Sequence, residues 1–232
     1  MHKPIVRMML SGGCFQLMKA LCERIEYDVH FIRGASVGTA KGALPQRLAA
    51  GESADVIVFA EDAVPQIQQY LSDVSGMRLL ANSSIGIGVA SPTHCAAPRS
   101  LEDVIAILQK VDRFAYSSSV SGQHLMKKLE ELEVGPDILR KGLESANGPV
   151  GKLLLNGDAP IGFQQVSELI EISGVTVLGE VPDELQKKTG YYICSLRTAA
   201  TGVDANRFIN AVIEARTTNI LRALGLSLDE KL

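Results

Sequence analysis

A chain of 232 residues, 46% hydrophobic and 21% charged, is long enough for one large or two modest domains with substantial cores. A formal net charge of -3 without a run of Lys or Arg argues against a nucleic-acid surface, and 5% aromatics without Trp argue against a base-stacking platform. No apolar stretch approaches the roughly 18 residues of a membrane span, so no membrane protein is expected.

Residues 1–10 carry Arg7 inside what would be a hydrophobic leader, so they are not expected to form a signal peptide. Ser11-Gly12-Gly13-Cys14 is only a faint match to a lipoprotein cleavage site. The expected location is the cytoplasm if Met1 is the native start, and the periplasm if a leader peptide has been removed.

Strand and helix patterns alternate along the chain, as in an α/β fold. Ile5–Leu10 reads as a strand and Phe15–Ile25 as a helix with apolar residues at helical spacing. Val29–Arg33 alternates like a strand, Thr39–Ala50 reads as a helix, and Val56–Phe59 is a short apolar strand of the parallel-sheet kind. A helix over Ala63–Ser72 and a Gly-rich strand over Ser84–Ala90 follow. Ser100 caps a helix through Val104–Leu108. Phe114–Tyr116 is a strand and Gly122–Leu132 a helix. Pro136–Leu143 and Pro149–Leu155 read as short helices with proline near the start. Ile161–Gln164, Thr176–Leu178 and Tyr191–Leu196 read as strands, and Asp204–Leu224 as a closing helix broken near Thr217-Thr218.

Three strand-like runs end in Gly/Ser clusters that lead toward helices: Ser11-Gly12-Gly13, Gly34-Ala35-Ser36-Val37-Gly38, and Ser117-Ser118-Ser119 with Ser121-Gly122. A helix start presents unpaired N–H groups and partial positive charge, serine adds a hydroxyl, and glycine admits close approach. Such turns suit a small oxyanion or carboxylate. No low-complexity linker separates two halves, so the domain boundaries are expected where the chain crosses between lobes. Lobe I would comprise 1–85 and 193–232, and lobe II 88–190, with a hinge near 86–90 and 189–194 and the ligand in the cleft between them.

Other motifs weigh less. Gly34-Ala35-Ser36-Val37-Gly38 matches the G-x-S-x-G elbow of a serine hydrolase, with His94 or His124 as base, but it comes after only two strands and no lipase-type oxyanion segment precedes it. Gly34 to Lys41 falls short of a phosphate-binding P-loop. Cys14, Cys22, Cys95 and Cys194 fit no zinc or redox spacing and read as free thiols, and no metal or cofactor is expected. His94 is expected in an exposed loop, while Asp55 and Glu168 suit turn or capping roles.

The segments 33–38 and 48–56 resemble type II periplasmic solute-binding proteins of the molybdate-binding group. So do Ile85-Gly86-Ile87-Gly88-Val89-Ala90, Ala115-Tyr116-Ser117 with Ser121-Gly122, Asn156 through Gln165, and Gly179 through Gln186. The resemblance covers nearly the whole chain in order. It implies two α/β lobes, each a mixed sheet flanked by helices, closing on an anion held by hydroxyls and backbone N–H groups. By position it implies ligand contacts from Ser11, Gly12, Ser36 and Val37 in the first lobe, and from Ser117, Ser121, Gly122, Gln164 and Gln165 in the second. The tyrosine that molybdate binders carry in the last segment falls at Gln165, and an amide suits a carboxylate or hydroxyl-bearing ligand as well as a metal oxyanion.

Gly162-Phe163-Gln164-Gln165 also resembles the aconitate isomerase branch of the same family. That resemblance implies an allylic proton shift on a tricarboxylate, for which His124 is the candidate base or carboxylate contact, or else a surface histidine on an amphipathic helix, and Arg33 either pairs with a carboxylate at the strand end or is a solvated edge charge. The partner is thus expected to be a small anion, tricarboxylate or oxyanion, with an ABC transporter membrane subunit if the protein is exported.

Overall fold

A computed structural model of the protein describes residues 3–91, 96–132, 134–146 and 148–228. In chain order it forms β1 (Ile5–Ser11), α1 (Phe15–Cys22), β2 (Asp28–Gly34), α2 (Leu44–Ala49), β3 (Val56–Ala60), α3 (Val64–Ile67) and β4 (Arg78–Ser83). Then come β5 (Ile85–Ala90), α4 (Leu101–Lys110), β6 (Phe114–Ser117), α5 (Val120–Glu131), α6 (Pro136–Arg140), β7 (Gly142–Ser145) and α7 (Val150–Leu155). The chain continues through β8 (Gly162–Gln165), α8 (Val166–Ile170), β9 (Val175–Glu180), β10 (Thr189–Ser195), α9 (Ala205–Ala215), α10 (Thr218–Ala223) and β11 (Leu226–Ser227). Among the described residues, no helix is long and apolar enough to cross a membrane.

The chain divides into two compact units, residues 1–82 with 189–232, and residues 83–188. The passages therefore fall at 82/83 and 188/189, ahead of β5 and β10. The sequence places a hinge near 86–90, and there β5 pairs on both sides, with β8 and β9, in the second unit's sheet.

The first unit is built on a six-stranded sheet, β11-β4-β10-β3-β1-β2. β2, β1 and β3 run parallel, and β10 joins β3 antiparallel. Strand alternation divides its apolar residues between two faces. Val6, Met8 and Leu10 pack with Leu17, Met18 and Leu21 of α1 and with Phe208 and Val212 of α9. Met9, Ile57 and Phe59 face the other way, onto Leu44, Leu48 and Ile67. All five residues of β3 are buried, as a strand covered on both faces must be.

The second unit carries a five-stranded sheet, β7-β6-β8-β5-β9, in which β7, β6 and β8 are parallel and β5 is antiparallel to β8 and β9. Phe114 and Phe163 meet edge to face at 5.9 Å beneath Leu125 and Leu129 of α5. Ala115, Val150 and Leu154 form the opposite face. Ser100 caps α4, accepting from the Asp103 N–H at 3.3 Å.

Some expected elements come out differently. The helix expected over Thr39–Ala50 is only α2, Leu44–Ala49, because Pro45 sits in its first turn and fixes the start there. The helix expected over Pro136–Leu143 ends at Arg140, and Gly142–Ser145 pairs with β6 as an edge strand. The segment Ala63–Ser72 holds the four-residue α3 between two 3-10 turns.

Candidate functional site

Parallel strands end together, and the helices that follow them start at that same end of the sheet, which is where ligands of open α/β sheets bind. Each unit of this chain has such an end.

In the first unit β1 and β2 are in register through Ser11 opposite Gly34, with Leu10 opposite Val58 of β3. The carboxyl ends of the three strands thus bring together Ser11, the segment after Gly34, and Ala60. Ser11 is 7% exposed and begins a 3-10 turn, Gly12–Cys14, that runs straight into α1. Its hydroxyl makes no capping hydrogen bond. Gly13 has no room for a side chain, since a β-carbon there would stand 2.2 Å from the Tyr191 hydroxyl oxygen. Tyr191, from β10, therefore lies directly against the turn, and the sequence reading missed it because its tie to residue 13 exists only in the folded sheet.

Ser36 is equally buried, and its Oγ accepts the backbone N–H of Ala60 at 2.8 Å. That bond fastens the 35–43 loop to the end of β3, and the Leu44 N–H donates to the Ala35 carbonyl at 2.8 Å to close the loop. Val37 packs on the Leu44 and Leu48 side of the sheet. The second Gly/Ser cluster is thus a loop rather than a helix start. An elbow needs the nucleophile between a strand and an immediate helix, and here the helix begins only at Leu44. The hydrolase expectation loses that support, and His94 and Cys95 lie outside the described residues.

In the second unit Ser117 ends β6, in register with Ser145 of β7, and Tyr116 is opposite Phe163 of β8. Ser119 is the cap residue of α5, yet its side chain makes no capping bond. Instead three hydroxyls form a triangle. Ser117 Oγ lies 2.9 Å from Ser119 Oγ and 3.0 Å from Ser121 Oγ, and the remaining side is 3.2 Å. Three rotatable O–H donors beside the first N–H groups of a twelve-residue helix form an uncharged, donor-rich cradle. Gly122 brings the helix this close to the strand end.

Gln164 and Gln165 close β8, and both are buried. The Gln164 amide is used at both ends, its Oε1 accepting from the Val150 N–H and its Nε2 donating to Glu168 Oε2, each at 2.8 Å. It therefore ties the start of α7 to α8. Gln165 leads into α8 as the residue before its first turn.

His124 lies one turn into α5. Burial foremost, and then the charge of Lys187, hold its imidazole below the ordinary histidine pKa, against a hydrogen bond with the Gln186 backbone that raises it. Its Nε2 is sealed from solvent without a hydrogen-bond partner. Arg33 is exposed on β2, with its guanidinium carbon 4.1 Å from the centre of the Phe15 ring. Asp55 is fully buried, and its carboxylate accepts from the N–H groups of Arg7, Ala200 and Thr201 and from the Thr201 hydroxyl, at 2.7 to 3.0 Å. It is a structural anchor between β1 and the 200–201 loop.

Comparison with known proteins bears on what this arrangement serves. The chain is 30% identical over 193 residues to an aconitate isomerase from a Pseudomonas species, spanning 78% of this chain and 71% of that protein. Among solved structures it superimposes on the periplasmic molybdate-binding protein of Azotobacter vinelandii with a TM-score of 0.74 and 16% identity, over 97% of this chain and 100% of that one. PEB3 in its L-phospholactate-bound form, a protein of Campylobacter jejuni, superimposes with a TM-score of 0.70 and 14% identity over 97% and 100% of the two chains. These likenesses show the periplasmic-binding-protein-like α/β fold, with two mixed sheets flanked by helices. Residues 6–227 match the family described as bacterial extracellular solute-binding protein, and the chain belongs to that family.

Proposed function

We propose that this solute-binding protein takes a small anion, a polycarboxylate or a tetrahedral oxyanion, through serine hydroxyls and the backbone N–H groups that open α5. The observation that carries this reading is the Ser117–Ser119–Ser121 hydroxyl triangle at the start of α5, with the Ser119 side chain not used as a cap. Within the first unit, Ser11 also makes no capping bond ahead of α1. Relatives whose names refer to molybdate and L-phospholactate support an anion as the ligand class. The receptor role carries with it a periplasmic location and an ABC transporter membrane subunit as partner. A thermal-shift panel of molybdate, tungstate, sulfate, citrate, isocitrate and the two aconitates tests it, because a ligand bound only to the native state raises Tm. Stabilisation by none of them overturns it.

A second reading, favoured by the 30% identity to an aconitate isomerase, is that the protein interconverts cis- and trans-aconitate. A base takes a proton from the methylene carbon, the double bond moves by one position, and a proton returns to the former vinylic carbon. His124 is the candidate base, but its Nε2 is buried without a hydrogen-bond partner, which favours the binding role. An absorbance assay for interconversion separates the two readings. Turnover makes the protein an enzyme, and stabilisation by aconitate without turnover makes it a receptor.

A further inference from the structure

Within the second unit a cavity of about 480 Å³ lies between α5, α6 and the edge strand β7, and the anion reading makes no use of it. Its volume is in the range that small organic ligands occupy. Met126, Lys127 and Glu130 line it from one face of α5, since residues three and four apart are neighbours on a helix. Tyr116 comes from β6 and Glu144 from β7. The parallel register sets these two opposite each other, so both side chains leave the same face of the sheet. Leu139 of α6 completes the wall.

The floor is apolar. Tyr116, Met126 and Leu139 are half-buried against the core of the second unit. The first two converge at Gly142, where a β-carbon would stand 3.0 Å from the Tyr116 ring and 3.3 Å from the Met126 methyl carbon. The rim is acidic. Glu130 and Glu144 are exposed, and among the described residues neither stands in an ion pair. Lys127 is turned to Glu131 at 3.7 Å, so its charge is already matched. Burial, and then the charge of Glu144, push the Tyr116 phenol above its ordinary pKa, which keeps it a neutral hydroxyl with Glu144 close by.

An aromatic ring attracts a cation, and carboxylates at the mouth of the same cavity attract it further. Hard metal ions require oxygen ligands all round, which a floor of ring, thioether and leucine does not offer. An ammonium group on a hydrocarbon body satisfies both parts of the lining. We propose that this cavity binds a small organic ammonium ion, with its hydrocarbon part on Tyr116, Met126 and Leu139 and its charge toward the Glu130 and Glu144 carboxylates. The site shares α5 and β6 with the serine triangle but none of its residues.

The test titrates the full chain with choline, with phenethylamine, and with the uncharged analogue of choline in which carbon replaces nitrogen. Calorimetry gives the affinities, and NMR of isotope-labelled methionine methyl groups gives the place, with Met126→Leu identifying the Met126 signal. Both amines should move that signal and leave Met8, Met9 and Met18 of the first unit where they are. The uncharged analogue should bind on the order of tenfold more weakly. Glu130→Gln combined with Glu144→Gln changes two exposed positions, so it should keep the ligand-free Tm and weaken both amines roughly three- to tenfold. Tyr116→Leu should weaken them roughly fivefold or more. Equal binding of the uncharged analogue, or unchanged amine affinity in the double variant, overturns the inference. So does a Met126 signal that stays fixed up to roughly 10 mM amine, whatever the outcome for anions.

Discussion

Gly122 and Ser117 are packed so closely that a β-carbon at position 122 would stand 1.8 Å from the Ser117 carbonyl oxygen. The obstacle is backbone, so it cannot turn aside as a flexible side chain would. Gly122→Ala must push the first turn of α5 off the end of β6. The expected destabilisation is about 2–3 kcal/mol or more, the upper range for forced overpacking, read from urea unfolding. Because Ser119 and Ser121 ride on that turn, anion affinity should fall with it.

Ser121→Ala and Ser36→Ala should separate binding from stability. Ser121 bonds only to neighbouring hydroxyls in the triangle, so its loss should weaken anion binding by about 1.5–3 kcal/mol, the scale for a hydrogen bond to a charged group. The unfolding free energy should change little. Ser36→Ala also orphans the buried Ala60 N–H, which costs roughly 1–3 kcal/mol of stability in addition to any loss of affinity. Equal unfolding curves for the two variants would remove Ser36 from its anchoring role.

The Asp55 carboxylate gathers four hydrogen bonds inside the first unit. Asp55→Ala leaves three part-buried backbone donors without their acceptor, so stability should drop by about 2–3 kcal/mol. Asp55→Asn keeps one acceptor oxygen but turns the other into a donor that faces donors, and should recover only part of that loss.

Histidine 124 gives a pH signature. Its folded pKa is depressed, chiefly by burial and then by Lys187 and Lys128, with Glu131 and the Gln186 backbone acting the other way. Below the ordinary pKa of about 6.5 the unfolded chain then binds a proton that the folded chain does not, so stability falls as pH drops through that value. The decline levels off once pH is below the folded pKa. Tm measured between pH 5 and 7.5 should slope less in His124→Gln than in the unsubstituted protein. A parallel slope would mean that the ring is solvated in solution.

Much of this architecture is legible in the residues. Met8-Met9-Leu10 and Val56–Phe59 are apolar at every position, which leaves little choice but strands covered on both faces, and Ser117 through Gly122 names a helix start by its own composition. The edge strand β7 was not legible, because Leu139 and Leu143 stand four apart and mimic one helical face. β4 escaped notice because Asn82 and Ser83 are polar although buried in the sheet. In the candidate site the hydroxyls were visible, but their arrangement was not. The bond from Ala60 to Ser36 spans 24 positions, and the use of both ends of the Gln164 amide depends on α7 and α8 meeting at β8.

The order β11-β4-β10-β3-β1-β2 has a consequence for how the molecule is made. β3 and β4 leave a vacancy between them that only β10 fills, and β10 is synthesised more than a hundred residues after β4 ends at Ser83. On the ribosome the first unit must wait, its central hydrogen-bonding edges unmet, while residues 83–188 emerge as one uninterrupted stretch with every strand of their own sheet. The half of the protein that begins first is therefore the half that finishes last.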